Sequence, residues 1–159
     1  MTDERAQQIQ MIRDLPGKLR EKVKGLTVEQ LTTPYVEGEW TIAQNVHHLA
    51  DTHMVCIRRY KLILTNPEFH FTKYDVNAIA KYPDAKDADI EYSLKILEGL
   101  HARWAILLEN LTEEEWNKVG IHPNPDIGEY PLTRLTRVYA EHGENHLKQI
   151  QDVLDAMPN

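Results

Sequence analysis

The sequence predicts an all-α fold, a four-helix bundle with short extra helices and two long loops. Apolar residues recur at three- and four-residue steps over long segments, which is the pattern of helices that face a core. Short alternating runs of β-branched residues, which would indicate strands, are scarce. The chain has 159 residues, enough for a core that needs neither a disulfide nor a structural metal. We therefore expect one domain over residues 1–159.

The amino-terminal part is predicted to contain one main helix and one short one. Proline suits the opening turn of a helix, so the first main helix is predicted from Pro16 to about Lys24, after a helical arm over 4–13. A short helix then begins at Thr27, because Thr27 and Gln30 have the spacing of a capping box.

Two long helices occupy the middle of the chain. The second main helix is predicted to follow Thr41 and to extend to about Thr65, where the pair Asn66-Pro67 stops it. The third is predicted over 89–110. Its apolar stripe consists of Ile90, Leu94, Leu97, His101, Trp104, Leu108 and Leu111.

The last third of the chain begins with a second capping box at Thr112 and ends in the fourth main helix. That helix is predicted from Leu132 to about Ala156, entered through Pro131. Two long connections, 66–88 and 118–130, are rich in Pro, Asp, Asn and aromatic residues. Loops of this length often shape a binding pocket.

Charge and composition exclude several classes of function. The formal net charge is −7, and the basic residues are dispersed among acidic ones, so we expect no nucleic-acid partner. Glycines stand singly and form no phosphate-binding loop. No apolar run reaches membrane-spanning length, and the polar amino terminus does not resemble a signal peptide. We expect a cytoplasmic protein with a small-molecule substrate and no membrane partner. The single cysteine, Cys56, is predicted to be buried.

Two histidines in the fourth helix indicate a metal site. His142 and His146 are one helical turn apart and therefore project from the same face. They share a core-facing stripe, where unpaired imidazoles would be costly. A divalent transition metal accepts one neutral nitrogen from each ring, and a side chain such as Gln149 could satisfy the other nitrogen. The stripe consists of Leu135, Tyr139, His142, His146, Ile150 and Val153.

The best source of a third ligand is the doublet His47-His48 in the second helix. Periodicity does not choose between them, because each shares a helical face with other residues of mixed character. Three protein ligands would leave a coordination position open, which is typical of a catalytic site. The face of His47 includes Ala43, Ala50 and Met54, and the face of His48 includes Gln44, Thr52 and Val55.

The sequence resembles the DinB/YfiT-like superfamily of metal-binding four-helix bundles, in its YfiT-like branch. The main motifs are GEWTIAQNVHHLAD at 38–51 and EHGENHLKQI at 141–150. Together with four shorter motifs they cover most of the chain after the first dozen residues. The shorter motifs are LPGKL at 15–19, GLT at 25–27 followed by Gln30-Leu31, TPY at 33–35 and LHARW at 100–104.

The resemblance implies a set of ligands and a class of chemistry. In the family, one histidine directly before Leu and two histidines four residues apart hold a divalent metal. Carried onto this chain, the ligands are His48, His142 and His146, with zinc or nickel as the expected ion. Relatives are described as metal-dependent hydrolases or as transferases that activate a low-molecular-weight thiol such as bacillithiol. The alternative from another class is a non-catalytic metal- or ligand-binding stress-response bundle.

The other candidate residues have less specific signals. His53 and His101 lie on apolar stripes and are predicted to be core histidines with satisfied hydrogen bonds. For His101, a hydrogen bond near the metal site is the alternative. His70 and His122 lie in loops. Asp51, one turn from His48, is expected to be a solvated carboxylate on the helix surface, and the alternative is that it orients the free N–H of that ring. The catalytic residues themselves stay unassigned.

We also expect a homodimer that forms without the metal. The second helix has a core face with Ile42, Val46 and Leu49, and it offers further apolar residues beyond that face. Relatives in the family are often dimeric. The further residues are Met54, Cys56 and Ile57.

Overall fold

The protein is a four-helix bundle, as the sequence predicts. The computed structural model describes residues 2–158; Met1 and Asn159, the two ends of the predicted domain, lie outside the described residues. The four long helices are α1 (Asp3–Val23), α3 (Ile42–Thr65), α5 (Glu91–Glu109) and α7 (Leu132–Asp155). They pack in the ring order α1, α5, α3, α7.

Short elements connect these helices. Capping boxes form at Thr27 and Thr112, as predicted, and a third forms at Thr41, where α3 begins. In each box the threonine side chain accepts a backbone N–H that the first helical turn leaves free. The short elements are α2 (Val28–Thr32), α4 (Val76–Ile79), a 3-10 turn (Asp84–Lys86), α6 (Glu113–Trp116), β1 (Val119–Ile121) and β2 (Glu129–Pro131).

Helix α1 differs from the sequence prediction, because it runs straight through Pro16 instead of starting there. The predicted arm over 4–13 is helical, but it is continuous with the first main helix, so the predicted start at Pro16 was wrong. Buried Ile9 and Ile12 extend the apolar stripe before the proline. Proline has no N–H and cannot bond to the carbonyl four residues earlier. That carbonyl belongs to Ile12, and it accepts a hydrogen bond from Nδ1 of His101 on α5.

The predicted bounds of the other three long helices agree with the structure to within two residues. The loop predicted at 118–130 contains a feature that the sequence did not show, an antiparallel pairing of β1 with β2. Strands of three residues are too short to give an alternating pattern. The first long loop joins this hairpin, because the N–H of Phe71 donates to the carbonyl of Ile121 over 2.9 Å.

The apolar core consists of two clusters, and four of the histidines lie between them along the helices, namely His53, His101, His142 and His146. On α5, Leu97 belongs to one cluster and Trp104 to the other, and His101 lies between these two positions. On α7, Ala140 and Leu147 enclose both histidines in the same way. The packing between the helices therefore changes from apolar to polar side chains at the level of these histidines.

The surface of α3 bears on the expected dimer. Cys56 is fully buried, as predicted, so it belongs to the core of its own chain and cannot contribute to a contact between copies. Its assignment to the contact face was wrong. Met54 is 40% exposed and stays a candidate contact residue. No helix within residues 2–158 combines the length and the apolar character needed to cross a membrane.

Candidate metal centre

The structure brings together the three histidines that the family pattern indicates. Nε2 of His142 lies 3.2 Å from Nε2 of His48 and 3.1 Å from Nε2 of His146. The ligand atoms of the triad all lie within 4.8 Å of one another. Zinc holds imidazole nitrogens at about 2.0–2.1 Å, so two nitrogens on one ion are at most about 4 Å apart. The two Nε2–Nε2 separations that involve His142, 3.2 and 3.1 Å, are below this limit and are compatible with a metal site.

The structure also separates the two members of the histidine doublet. Nδ1 of His47 lies 2.8 Å from Oγ of Ser93, and Nε2 of His47 lies 3.0 Å from the carbonyl oxygen of Asp87. Both ring nitrogens of His47 are therefore engaged outside the triad. The choice that periodicity left open is made by the fold, which places His48 in the triad.

The rings of the triad are uncharged at neutral pH. Burial lowers the pKa of His142 to about 3, and it lowers the pKa of His48 and of His146 to about 4. For His142 and His48, charge repulsion from His146 adds to the effect of burial. A neutral imidazole keeps a lone pair on one nitrogen, which is the form that binds a metal.

A hydrogen bond to Asn45 orients His146. Nδ1 of His146 lies 2.7 Å from Oδ1 of Asn45, and Nδ2 of Asn45 donates to the carbonyl of Thr41 over 2.9 Å. Because the amide nitrogen is used on Thr41, the amide oxygen faces the ring and accepts its N–H. The lone pair of His146 is then on Nε2. The sequence suggested Gln149 for this role; Gln149 raises the pKa of His146 against the effect of burial, but Asn45 takes the bond.

His142 is oriented by a chain of two further histidines. Nδ1 of His142 lies 3.1 Å from Nε2 of His53, and Nδ1 of His53 lies 2.8 Å from Nε2 of His101. Nδ1 of His101 in turn contacts the carbonyl oxygen of Ile12 on α1. The chain thus links a triad residue on α7 to α3, α5 and finally the backbone of α1.

The end of this chain fixes the position of every proton along it. Burial lowers the pKa of His101 to about 4 and the pKa of His53 well below its ordinary value, so both rings are neutral. A carbonyl oxygen can only accept, so His101 donates through Nδ1 and accepts through Nε2. His53 then donates to His101 and accepts from Nδ1 of His142. This leaves the lone pair of His142 on Nε2, which is the atom that faces the triad.

The remaining candidates have other surroundings. The ring of Trp40 meets the ring of His48 edge-on, with centroids 4.7 Å apart. Asp51 does not orient His48: it lines a second cleft with Asp84 and Asp87, and burial raises the pKa of its carboxyl group. The suggested role of Asp51 was therefore wrong.

The triad opens into a pocket of about 470 Å³ that is bounded by the two long loops. His48 and His142 line it, and so does His122, one of the two loop histidines. Nδ1 of His122 accepts the backbone N–H of Asn124 over 3.0 Å, so the neutral ring carries its proton on Nε2. Aromatic side chains form much of the wall, namely Phe71, Tyr74, Tyr130 and Tyr139.

The charged groups of the pocket are all basic. Arg59 and Lys73 line it, and none of its fifteen lining residues is an Asp or a Glu. The hydroxyl of Tyr139 accepts a hydrogen bond from Arg59 over 3.2 Å. Burial raises the pKa of Tyr139 well above its ordinary value, so this hydroxyl keeps its proton.

A sequence profile of the DinB superfamily matches residues 11–150. The chain belongs to the DinB superfamily. A protein of Geobacillus kaustophilus named "Putative metal-dependent hydrolase" is 46% identical over 142 residues, which are 89% of this chain and 79% of the relative. A protein of the same description from Bacillus subtilis, YfiT, is 38% identical over 146 residues, covering 91% of this chain and 81% of the relative.

Two solved structures place this DinB-superfamily chain among known folds. The structure of Bacillus subtilis YfiT, described as "a probable metal-dependent hydrolase with an unusual four-helix bundle topology", matches with a TM-score of 0.91 at 35% identity. The match covers 98% of this chain and 89% of YfiT. A mycothiol-dependent maleylpyruvate isomerase matches with a TM-score of 0.58 at 14% identity, over 92% of this chain and 60% of the isomerase. That second likeness concerns the fold alone.

Several residues that shape the site of this DinB-superfamily member were missed by the sequence analysis in part or in full. Asn45 and Arg59 carried no signal, since polar residues on a long helix are common. His53 and His101 were expected in the core, and both are buried with satisfied ring nitrogens. The alternative considered for His101, a hydrogen bond near the site, agrees with its bond to His53. The connection of both rings to His142 could not be predicted, because it depends on contacts between helices.

Proposed function

We propose that the protein is a metal-dependent enzyme that transfers a low-molecular-weight thiol to a small electrophile. His48, His142 and His146 hold one divalent ion, zinc or nickel, per chain. The observation that carries the proposal is the pocket itself: the triad opens into a cavity with an aromatic wall, and among residues 2–158 no carboxylate side chain lines it.

The missing carboxylate favours a thiol over water as the nucleophile. A divalent ion in such a site supplies a Lewis acid that lowers the pKa of a thiol or of a water molecule near it. A free thiol has a pKa of about 8.5 and water one of about 15.7, so the thiol needs far less help to ionise. Zinc proteases provide that help to water through a Glu beside the ligands. Asp51, an acidic residue one turn from His48, lines a different cleft.

The chain's own residues have definite roles in this reaction. The thiol releases its proton to solvent, and its sulfur forms a bond to the electrophilic carbon. The bond from that carbon to its leaving group breaks, and the leaving group takes the electron pair. The protonated hydroxyl of Tyr139 and Nε2–H of His122 can donate hydrogen bonds to the leaving group. Phe71 and Tyr74 provide apolar surface for the electrophile.

Metal-assisted hydrolysis is the second candidate, because the curated relatives bear the name of hydrolases. The isomerase that shares the fold is described as mycothiol-dependent, and its name suggests a thiol as the first probe. The third candidate is a bundle that binds a metal without catalysis, which predicts saturable metal uptake with no turnover.

One experiment separates these three functions. Metal content is first measured on untagged protein, and the loaded protein is then assayed with cysteine and chlorodinitrobenzene, and separately with para-nitrophenyl acetate without thiol. We expect thioether formation to exceed ester hydrolysis and to require the triad. Strong ester hydrolysis without thiol that is lost in His142→Ala would establish the hydrolase instead.

The doublet offers a matched control for this assay. His48→Ala and His47→Ala each remove one imidazole from adjacent positions of α3, but only His48 belongs to the triad. Thiol transfer should be lost in His48→Ala and retained in His47→Ala. Loss in both variants with unchanged metal content would contradict the proposed site.

A further inference from the structure

Arg59 is held in the pocket wall by contacts that leave its charge without a partner. Its guanidinium lies over two aromatic rings, 5.1 Å from the centroid of Phe71 and 5.6 Å from that of Tyr74. One nitrogen donates to the hydroxyl of Tyr139 over 3.2 Å, and the other donates to the carbonyl of Thr72 over 3.1 Å. Throughout residues 2–158, none of the ion pairs involves Arg59.

This arrangement prepares the guanidinium for an oxyanion. A guanidinium has five N–H donors, and two are used on Tyr139 and Thr72, which leaves three. The aromatic contacts hold its plane in place. Both acceptors are neutral, so they fix the side chain without neutralising it. A carboxylate or a phosphate can then bind with two parallel hydrogen bonds at little ordering cost.

The charge distribution of the protein points in the same direction. The chain carries 25 acidic and 18 basic residues, yet the fifteen residues that line this pocket include Arg59 and Lys73 and no acid. The neighbouring cleft beside α3 is the opposite, since Asp51, Asp84 and Asp87 line it. A cavity lined by one sign of charge concentrates ligands of the other sign.

We propose that the pocket selects a small molecule bearing an oxyanion, a carboxylate or a phosphate, and that Arg59 is the residue that holds it. The anion lies on Arg59 while the reactive end of the same molecule lies at the histidine triad. This deepens the proposed function and rests on it in one respect, the assumption that the reactive end is a thiol. Arg59 is thus a specificity-determining residue rather than a metal ligand.

The test compares two thiols of the same length on the zinc-loaded protein by calorimetric titration. Mercaptopropionate carries a carboxylate, and mercaptopropanol carries a hydroxyl in its place. We expect mercaptopropionate to bind about ten- to a hundredfold more tightly, the usual range for a charge-assisted hydrogen bond. Arg59→Gln should remove most of this preference, and Arg59→Lys should keep part of it, because lysine retains the charge but not the fork.

Arg58→Gln is the matched control. It removes the same charge from the adjacent position, but Arg58 is exposed and does not line the pocket. The preference for mercaptopropionate should survive in Arg58→Gln. Equal binding of the two thiols to the unmodified protein, or an equal preference in Arg59→Gln, would overturn the inference.

Thiol-free anions separate this inference from the proposed function. Succinate and inorganic phosphate are titrated into the same variants, and the one whose binding depends on Arg59 identifies the oxyanion. If neither thiol binds but one of these anions binds through Arg59, thiol transfer fails while the oxyanion site stands. Binding of both anions that is unaffected by Arg59→Gln would place them elsewhere and overturn the site.

Discussion

Replacement of His101 by leucine tests whether the histidine chain prepares His142 for a metal. His101 does not touch the triad: it accepts the N–H of His53, which in turn accepts the N–H of His142. In His101→Leu, the donor of His53 has no acceptor on α5. A buried donor without a partner costs about 1–3 kcal/mol. Because of that cost, His53 no longer prefers to carry its proton on Nδ1. If the proton moves to Nε2 of His53, that ring can no longer accept from His142, and the proton of His142 is no longer held on Nδ1.

The expected result is a loss of metal affinity without the loss of any ligand. If the proton of His142 moves to Nε2, the atom that faces the triad no longer has a lone pair. A preference of 1–3 kcal/mol corresponds to roughly 5- to 150-fold in an equilibrium constant. Loss of a partner that orients a ligand typically weakens metal binding by about 10- to 100-fold. We expect the loss of metal affinity in His101→Leu to be near about tenfold, the lower end of this range, because His101 acts on His142 only through His53.

The assay is zinc competition against a chromophoric chelator, with stability in denaturant measured on the same samples. His101→Gln is the decisive companion, because a glutamine amide can donate to the Ile12 carbonyl and accept from His53, as the imidazole does. Zinc affinity should fall in His101→Leu and recover largely in His101→Gln. Unchanged affinity in the leucine variant, or equal losses in both variants, would refute the orienting role and leave His101 as packing.

Three further predictions follow from the site and the surface. Alanine at any one of the three triad positions should sharply lower metal content measured by mass spectrometry, whereas His47→Ala should not; the reverse result would place the ligand on His47. The metal-free protein should lose stability as pH falls from about 6.5 to about 4, by up to about 1.4 kcal/mol per pH unit for each histidine whose pKa is lowered by burial. The reason is that histidines in the unfolded chain bind protons near pH 6.5, whereas burial lowers the pKa of His101 and His146 to about 4. A free energy of unfolding that does not change between these pH values, measured by denaturation at each pH, would contradict this. The expected homodimer should keep a mass near twice 18.5 kDa after metal removal, and a monomer in Met54→Glu alone would locate the contact on α3.

The parts of the fold that local chemistry determines were predicted from the sequence. Thr41 and Thr112 begin their helices because a threonine side chain caps the free N–H groups of the first turn. The pair at 142 and 146 shares a face because a helix has 3.6 residues per turn. These features depend on residues that are three or four positions apart, so one sequence is enough to find them.

The parts that were missed depend on residues that are far apart in the chain. Asn45 and His146 are separated by 101 positions, and His53 and His101 by 48. Which side chains meet across the bundle depends on the order of the helices around the core and on their rotation. The sequence pattern identifies a core-facing stripe but not the helix opposite it. For this reason the sequence pattern could not choose between His47 and His48 as the third ligand, and the resemblance to the family made that choice.

Pro16 shows why a rule based on local sequence can fail. Proline favours the first turn of a helix, but here a contact with another helix satisfies the carbonyl that a proline inside a helix leaves without a donor. A proline inside a helix leaves the carbonyl four residues earlier without its usual donor, and a buried carbonyl without a partner is costly. Here that carbonyl belongs to Ile12, and His101 supplies the donor. Because a carbonyl only accepts, the same bond fixes the protons of His101, His53 and His142 in turn. Pro16, which was predicted to start a helix, thus leaves the Ile12 carbonyl free to accept from His101, and this bond places the lone pair of His142 on Nε2. In return, the hydrogen bond from His101 satisfies that carbonyl, so α1 continues through its proline.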